Sequence, residues 1–178
     1  MRLLALASLD RLGANPIEFI TRSTGTWALV LLCVTLAITP LRRLTGLSEP
    51  LRVRRMLGLF AFFYTCLHLV VFFWFDHWFD LAQMLADVLD RPFIFFGMCA
   101  FLLMLPLALT STNAMIRRLG RRWSQLHRLI YLAATLAVLH LWWHKAGKND
   151  LAEPIIYGSI VAILLVFRLL IFWRRYSG

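Results

Sequence analysis

The sequence predicts an all-α polytopic membrane bundle, with five transmembrane helices and one amphipathic helix on the outer surface, and three observations carry that fold class. Of 178 residues, 61% are hydrophobic and only 16% charged, with a mean hydropathy of +0.73, which does not fit a soluble domain. The apolar residues gather into five runs about 20 residues long, the length of helix that a hydrocarbon core of roughly 30 Å requires. The 19 Lys and Arg sit in short clusters between those runs, where a bilayer puts them. A net charge of +10 distributed in this way argues for lipid as the surrounding partner and against nucleic acid.

Residues 1–23 begin MRLLALASLDRL, too short an apolar stretch to span and without an A-x-A cleavage site, and they are read as an outer N-terminal segment. The transmembrane domain is 24–178. Its spans are predicted at 24–41, 56–75, 92–110, 124–143 and 154–173. Pro92 and Pro154 open their helices in the first turn, where the missing N–H costs nothing, and Thr39-Pro40 closes the first span. Pro106 lies inside the third span and should kink it, freeing a carbonyl near Leu102. Between the second and third spans, Leu81, Met84, Leu85, Val88 and Leu89 recur at helical spacing opposite Asp80, Gln83, Asp87 and Asp90, the pattern of a helix lying flat on the membrane. No internal repeat and no Gly-rich phosphate loop is visible. Cys33, Cys66 and Cys99 lie in apolar runs without CxxC spacing and are read as small hydrophobes.

Orientation follows from the basic residues. Eleven (Arg42, Arg43, Arg52, Arg54, Arg55, Arg117, Arg118, Arg121, Arg122, Arg174, Arg175) fall on one side and six (Arg2, Arg11, Arg22, Arg91, Lys145, Lys148) on the other. The richer side is assigned to the cytoplasm, with the N-terminus outside and the C-terminus inside. Asp76, Asp80, Asp87, Asp90, Asp150 and Glu153 then form an acidic outer face suited to steering a basic partner.

Three of the five histidines, His68, His127 and His140, lie within apolar spans, where an ionisable group is costly and marks a functional site. At about 1.5 Å per residue His68 and His140 fall at similar depth in the outer leaflet, and His127 some 13 Å below His68. Two facing imidazoles in an aromatic environment suit the axial positions of a haem better than zinc, which wants four ligands. The plainer reading is a pair of interhelical hydrogen bonds. On a straight helix His127 and His140 point roughly 140° apart, and no fourth intramembrane histidine completes an inner pair. Arg128 and Arg168 lie inside their spans, either snorkelling or pairing with a haem propionate or flavin phosphate. His77 and His144 are interfacial.

From about Gly13 onward the stretches GANPIEFITRSTGTWAL, LAITPLRR, RVRRMLGL followed by LHL, DRPF, and LALTSTNAMIRRLGRRWSQLHRLIYLAA followed by the LH of His140 resemble the haem-binding membrane subunit of the bacterial periplasmic protein-methionine-sulfoxide reductase system, within the ferric-reductase-like transmembrane group. The resemblance implies a multi-pass inner-membrane electron-transfer subunit. It implies heme b, with FMN as an associated cofactor; the histidine depths put one haem near the outer face and a second near the inner face, where His127 would need another ligand type, water or five-coordination. His68, His127 and His140 match the family's haem ligands. The implied partner is a periplasmic molybdopterin-containing methionine-sulfoxide reductase. Family members carry one more transmembrane helix first, so 1–23 reads as its remnant. Without a GxGxxG motif or nucleotide domain the chain cannot oxidise NAD(P)H unaided, so electrons arrive from quinol or a cytoplasmic flavin reductase. The alternative class is a small transporter or assembly protein that uses its intramembrane histidines for metal or substrate.

Overall fold

A computed structural model describes residues 16–46, 50–76 and 80–174. Residues 1–15, His77 and Arg175 lie outside the described residues. The described chain is helical: α1 Pro16–Thr45, α2 Pro50–Val71 continuing into a wider π-helical turn at Phe72–Asp76, α3 Leu81–Asp90, α4 Pro92–Leu109, α5 Asn113–Leu119, α6 Arg121–Leu126, α7 Leu129–Ala146 and α8 Ala152–Arg174. Five segments are long and apolar enough to cross a membrane: α1, α2, α4, α6 with α7, and α8. The polytopic bundle read from the sequence is therefore the fold.

The first span is longer than predicted at both ends. Residues 16–23, read as part of an outer segment, belong to α1, and the helix runs through Pro40 to Thr45 instead of closing there. A proline inside a helix cannot donate to the carbonyl four residues earlier. Here that carbonyl is Leu36 O, and it accepts a hydrogen bond of 2.8 Å from Nη2 of Arg168 on α8. The freed acceptor is thus satisfied from a neighbouring helix, as lipid requires.

The fourth span is not one helix. The sequence reading ran 124–143 unbroken, but His127 and Arg128 form a turn between α6 and α7. The N–H of Arg128 bonds back three residues to Gln125 O at 3.1 Å, and that of Tyr131 to Arg128 O at 3.0 Å, a local 3₁₀ tightening. The His127 ring adds to it by donating from Nδ1 to Trp123 O at 3.0 Å. Because the helix is broken, the 140° offset expected on a straight axis does not apply.

The helices form two close pairs, α1 with α2 and α4 with α7, joined through α2 and α4, while α8 packs on α7 and α1. In lipid no hydrophobic force drives helices together, so contact depends on small residues and shape. Ala61, Ala133 and Ala134 are fully buried where backbones approach, alongside Leu29, Leu32, Cys33, Leu36, Met104 and Val161. Cys33 is buried, and Cys66 and Cys99 are half-buried free thiols. Large apolar side chains such as Ile163, Leu169 and Leu132 are exposed on the outside of the bundle, where acyl chains surround it. Several threonines within the spans, Thr24, Thr35, Thr65 and Thr135, return their hydroxyls to the preceding turn, Thr35 to Leu31 O at 2.7 Å for example.

Alternation of direction puts the N-termini of α1, α4 and α8 and the C-termini of α2 and α7 at one end. The other end collects Arg42, Arg43, Arg54, Arg55, Arg117, Arg118, Arg121 and Arg122. At the first end α3 packs on α4. Asp80 caps it, its carboxylate accepting from Ala82 N at 3.0 Å and Gln83 N at 3.1 Å. Met84 is its buried contact, while Leu85 and Leu89, predicted on the same face, are exposed. The face that packs on α4 is therefore narrower than the sequence pattern.

Candidate functional site

Each of the two close pairs contributes one histidine to a facing pair. His68 on α2 leans on α1 and His140 on α7 leans on α4, and their rings meet across the bundle with centroids 6.0 Å apart and planes at 82°. Nδ1 of His68 lies 3.0 Å from Thr21 O. Nδ1 of His140 lies 2.6 Å from Phe93 O. A carbonyl only accepts, so each Nδ1 carries the proton and each Nε2 keeps its lone pair. No donor among the described residues reaches either Nε2. Two oriented imidazoles with free Nε2 lone pairs are what a metal held by two axial ligands needs. Among the described residues no three His, Cys, Asp or Glu side chains converge, so the site offers two protein ligands and not four.

The surroundings are aromatic and half-buried. Phe93 lies 6.0 Å from the His140 ring and 5.4 Å from that of His144, and His144 stacks over His140 at 6.5 Å. His144, interfacial by its position in the sequence, is therefore the neighbour of the pair toward the membrane surface. The next residue, Lys145, is 3% exposed, bound by Asp150 at 2.7 Å and Glu153 at 2.9 Å. The Lys145 ammonium beside Asp150 holds that carboxyl below the usual carboxylate range. Lys148 pairs with Glu18 at 3.0 Å and Arg91 with Asp87 at 3.4 Å. Much of the acidic face anticipated from the sequence is thus neutralised by neighbouring cations.

His127 lies at the opposite end. It stacks on Trp123 at 3.9 Å and 28°, and Trp123 Nε1 in turn donates to Thr110 O at 3.0 Å. Its Nε2 is 3.5 Å from Ser111 Oγ, a hydroxyl already given to Leu107 O at 2.6 Å, and the residue lines a cavity. The cavity, about 190 Å³, is lined by His127, Arg54, Arg55, Ser111 and Trp123 with apolar walls that include Phe62 and Met104. Arg55 donates to Asn113 Oδ1. Of the two arginines predicted inside spans, Arg128 is exposed in the turn after α6. Arg168 donates to the Tyr131 hydroxyl and to Leu36 O, with its guanidinium 4.8 Å over the Tyr131 ring. That network gives an intramembrane arginine a structural reason independent of any cofactor.

A repeat emerges that residue identity does not show. The carbonyl and the imidazole it orients are 47 residues apart in both pairs of helices, and Gly25 and Gly97 are the glycines against the two rings. Thr21, Gly25 and His68 map onto Phe93, Gly97 and His140 by one common offset. The same offset carries Arg55 onto His127, and both face the cavity. At the first end both halves supply histidine, whereas at the basic end only one does.

The model of the ferric reductase like transmembrane component matches residues 24–138. The chain is 61% identical to the protein-methionine-sulfoxide reductase heme-binding subunit MsrQ of Herminiimonas arsenicoxydans, over 98% of this chain and 81% of that protein. It is 58% identical to the same subunit of Ralstonia nicotianae over 98% and 81%, and of Bordetella pertussis over 96% and 82%. No solved structure matches. The family match over most of the chain and the identity to these relatives agree: the chain belongs to the MsrQ family of heme-binding subunits within the ferric-reductase-like transmembrane group.

Proposed function

We propose that this chain is a transmembrane electron-transfer subunit that holds a b-type haem between His68 and His140. It serves a periplasmic molybdopterin-containing methionine-sulfoxide reductase in repair of oxidised proteins. The observation that carries this is the pair of imidazoles from two different helix pairs, 6.0 Å apart, each with its Nδ1 proton committed to a backbone carbonyl. A haem bound there would supply one-electron redox chemistry inside the low-dielectric bundle. The residues around it orient the imidazoles and exclude water.

The basic end is assigned to the cytoplasm of a bacterial inner membrane by its excess of arginine. The cavity there is the entry side, where quinol or a cytoplasmic flavin reductase delivers electrons. A second cofactor, an inner haem or FMN, would find in this cavity one imidazole from His127 and guanidinium groups from Arg54 and Arg55 for its propionates or phosphate. Arg128 and Arg168 border the same end.

Purified chain should show a strong Soret band that sharpens on reduction, and His68→Ala and His140→Ala should each abolish the low-spin bis-histidine signal in electron paramagnetic resonance. A low-spin signal that survives in both variants would place this haem elsewhere. Orientation is checked by cysteine labelling in a background without native cysteines. Residues introduced at Ser124 and Asn149 should label from opposite sides, cytoplasmic and periplasmic respectively, and labelling from one side would overturn the assignment.

A further inference from the structure

In a regular helix the side chain of residue i+4 leans toward the N-terminus and covers the carbonyl of residue i. A long guanidinium can reach round a side chain at i+4, as Arg168 does past Pro40 to Leu36 O, but a short, bulky imidazole from another helix reaches the carbonyl most readily where position i+4 is bare. Both imidazoles in this protein meet that condition. Gly25 stands four residues after Thr21 and Gly97 four after Phe93, and those are the two carbonyls that accept from His68 and His140.

The spaces are filled by the rings. A Cβ on Gly25 would lie 3.1 Å from Cε1 and Nδ1 of His68. A Cβ on Gly97 would lie 2.8 Å from Nδ1 of His140 and 3.1 Å from its Cε1, closer than real Cβ contacts come. The second socket is also the one with the shorter hydrogen bond, 2.6 Å against 3.0 Å. Gly158, in α8, is different: a Cβ there meets only a Val138 methyl at 3.4 Å.

We propose that Gly25 and Gly97 are positioning residues that open the Thr21 and Phe93 carbonyls to the two imidazoles and so set the electron donation of each ligand, with the Gly97 socket the more demanding of the two. A strong hydrogen bond from Nδ1 to a carbonyl makes the Nε2 lone pair more basic and favours the oxidised metal. Displacing the ring lengthens that bond and shifts the potential upward. The proposal rests on His68 and His140 being the haem ligands. Its content is the role of residues that touch no cofactor.

The test compares Gly25→Ala, Gly97→Ala and Gly158→Ala with His68→Ala and His140→Ala in the detergent-purified, haem-loaded chain, reading the low-spin paramagnetic resonance signal and the midpoint potential. Alanine is the better helix former by about 0.5–1 kcal/mol, so a merely structural effect would leave helix content and thermal midpoint equal or higher. Gly97→Ala should shift the g-values and raise the potential, Gly25→Ala should do so less, and Gly158→Ala not at all. Loss of haem from Gly97→Ala with helix content retained also supports the socket. Wild-type spectrum and potential in Gly97→Ala, or an equal shift in Gly158→Ala, would overturn the proposal. A low-spin signal that survives in both histidine variants would overturn the ligand assignment itself, a different failure.

Discussion

The two ends of the bundle are built from the same two helix pairs, yet they differ in what those pairs supply. At one end each pair contributes a histidine pinned by a backbone carbonyl, and the rings face one another. At the basic end the turn leading into α7 contributes His127 and α2, at the corresponding position, Arg55. A doubled scaffold with two imidazoles would offer a metal one ligand from each side. The same scaffold with an imidazole and a guanidinium offers one ligand and one charge-assisted hydrogen-bond donor, the chemistry of an anionic cofactor or of a donor's docking site. Pseudo-symmetric halves thus present two different side-chain chemistries through one changed residue type.

Removing histidines breaks this comparison most sharply. His68→Ala or His140→Ala should eliminate the low-spin paramagnetic resonance signal completely, whereas His127→Ala should leave it intact. If His127→Ala erases it too, the ends are not independent.

A weaker effect is expected from charge at the basic end. Arg54→Gln with Arg55→Gln should lower the content of any second cofactor, measured as haem by pyridine haemochrome and as FMN by fluorescence after extraction, without altering the signal of the histidine pair. Unchanged content of both would reduce those arginines to topological markers.

Smaller again is the tie between the halves. Arg168→Met would leave Leu36 O and the Tyr131 hydroxyl without their donor, at a cost of about 1–3 kcal/mol. That cost should appear as a lower thermal midpoint in detergent. An unchanged midpoint would show that water or lipid replaces the guanidinium.

The smallest effect concerns the loop next to His144. Lys145→Met removes the cation held by Asp150 and Glu153, and because both carboxylates are half-exposed the midpoint should fall by only about 2–4 °C. The pH dependence has a defined sign. The depressed folded-state pKa of Asp150 means its contribution is present above the unfolded carboxylate value and lost as pH falls through the folded one. In Lys145→Met that acid-side loss of stability should flatten, and a wild-type profile in the variant would remove Asp150 from the clamp.

Much of the fold was legible along the chain. Five apolar runs bounded by arginines or proline determined five spans, because length against bilayer thickness and backbone satisfaction in lipid leave few alternatives. Rise per residue alone put His68 and His140 at one depth and His127 at another. The spacing from Gly25 to His68 recurs from Gly97 to His140 and was open to a reader who compared the histidine-bearing segments.

What the sequence could not decide were features that turn on which side chain reaches which backbone group or neighbouring charge. Pro40 looked like a stop, and it is not, because Arg168 on α8 takes up the carbonyl it frees. Ser124 onward looked like one helix, and it breaks at His127, whose side chain competes for the Trp123 carbonyl while stacking on the Trp123 ring. Asp150 and Glu153 looked like free acids until the fold brought Lys145 between them. Local periodicity and composition are properties of one segment and survive any packing; which carbonyl is open, which arginine is satisfied and which imidazoles meet depend on distances between segments, and only the tertiary structure sets those.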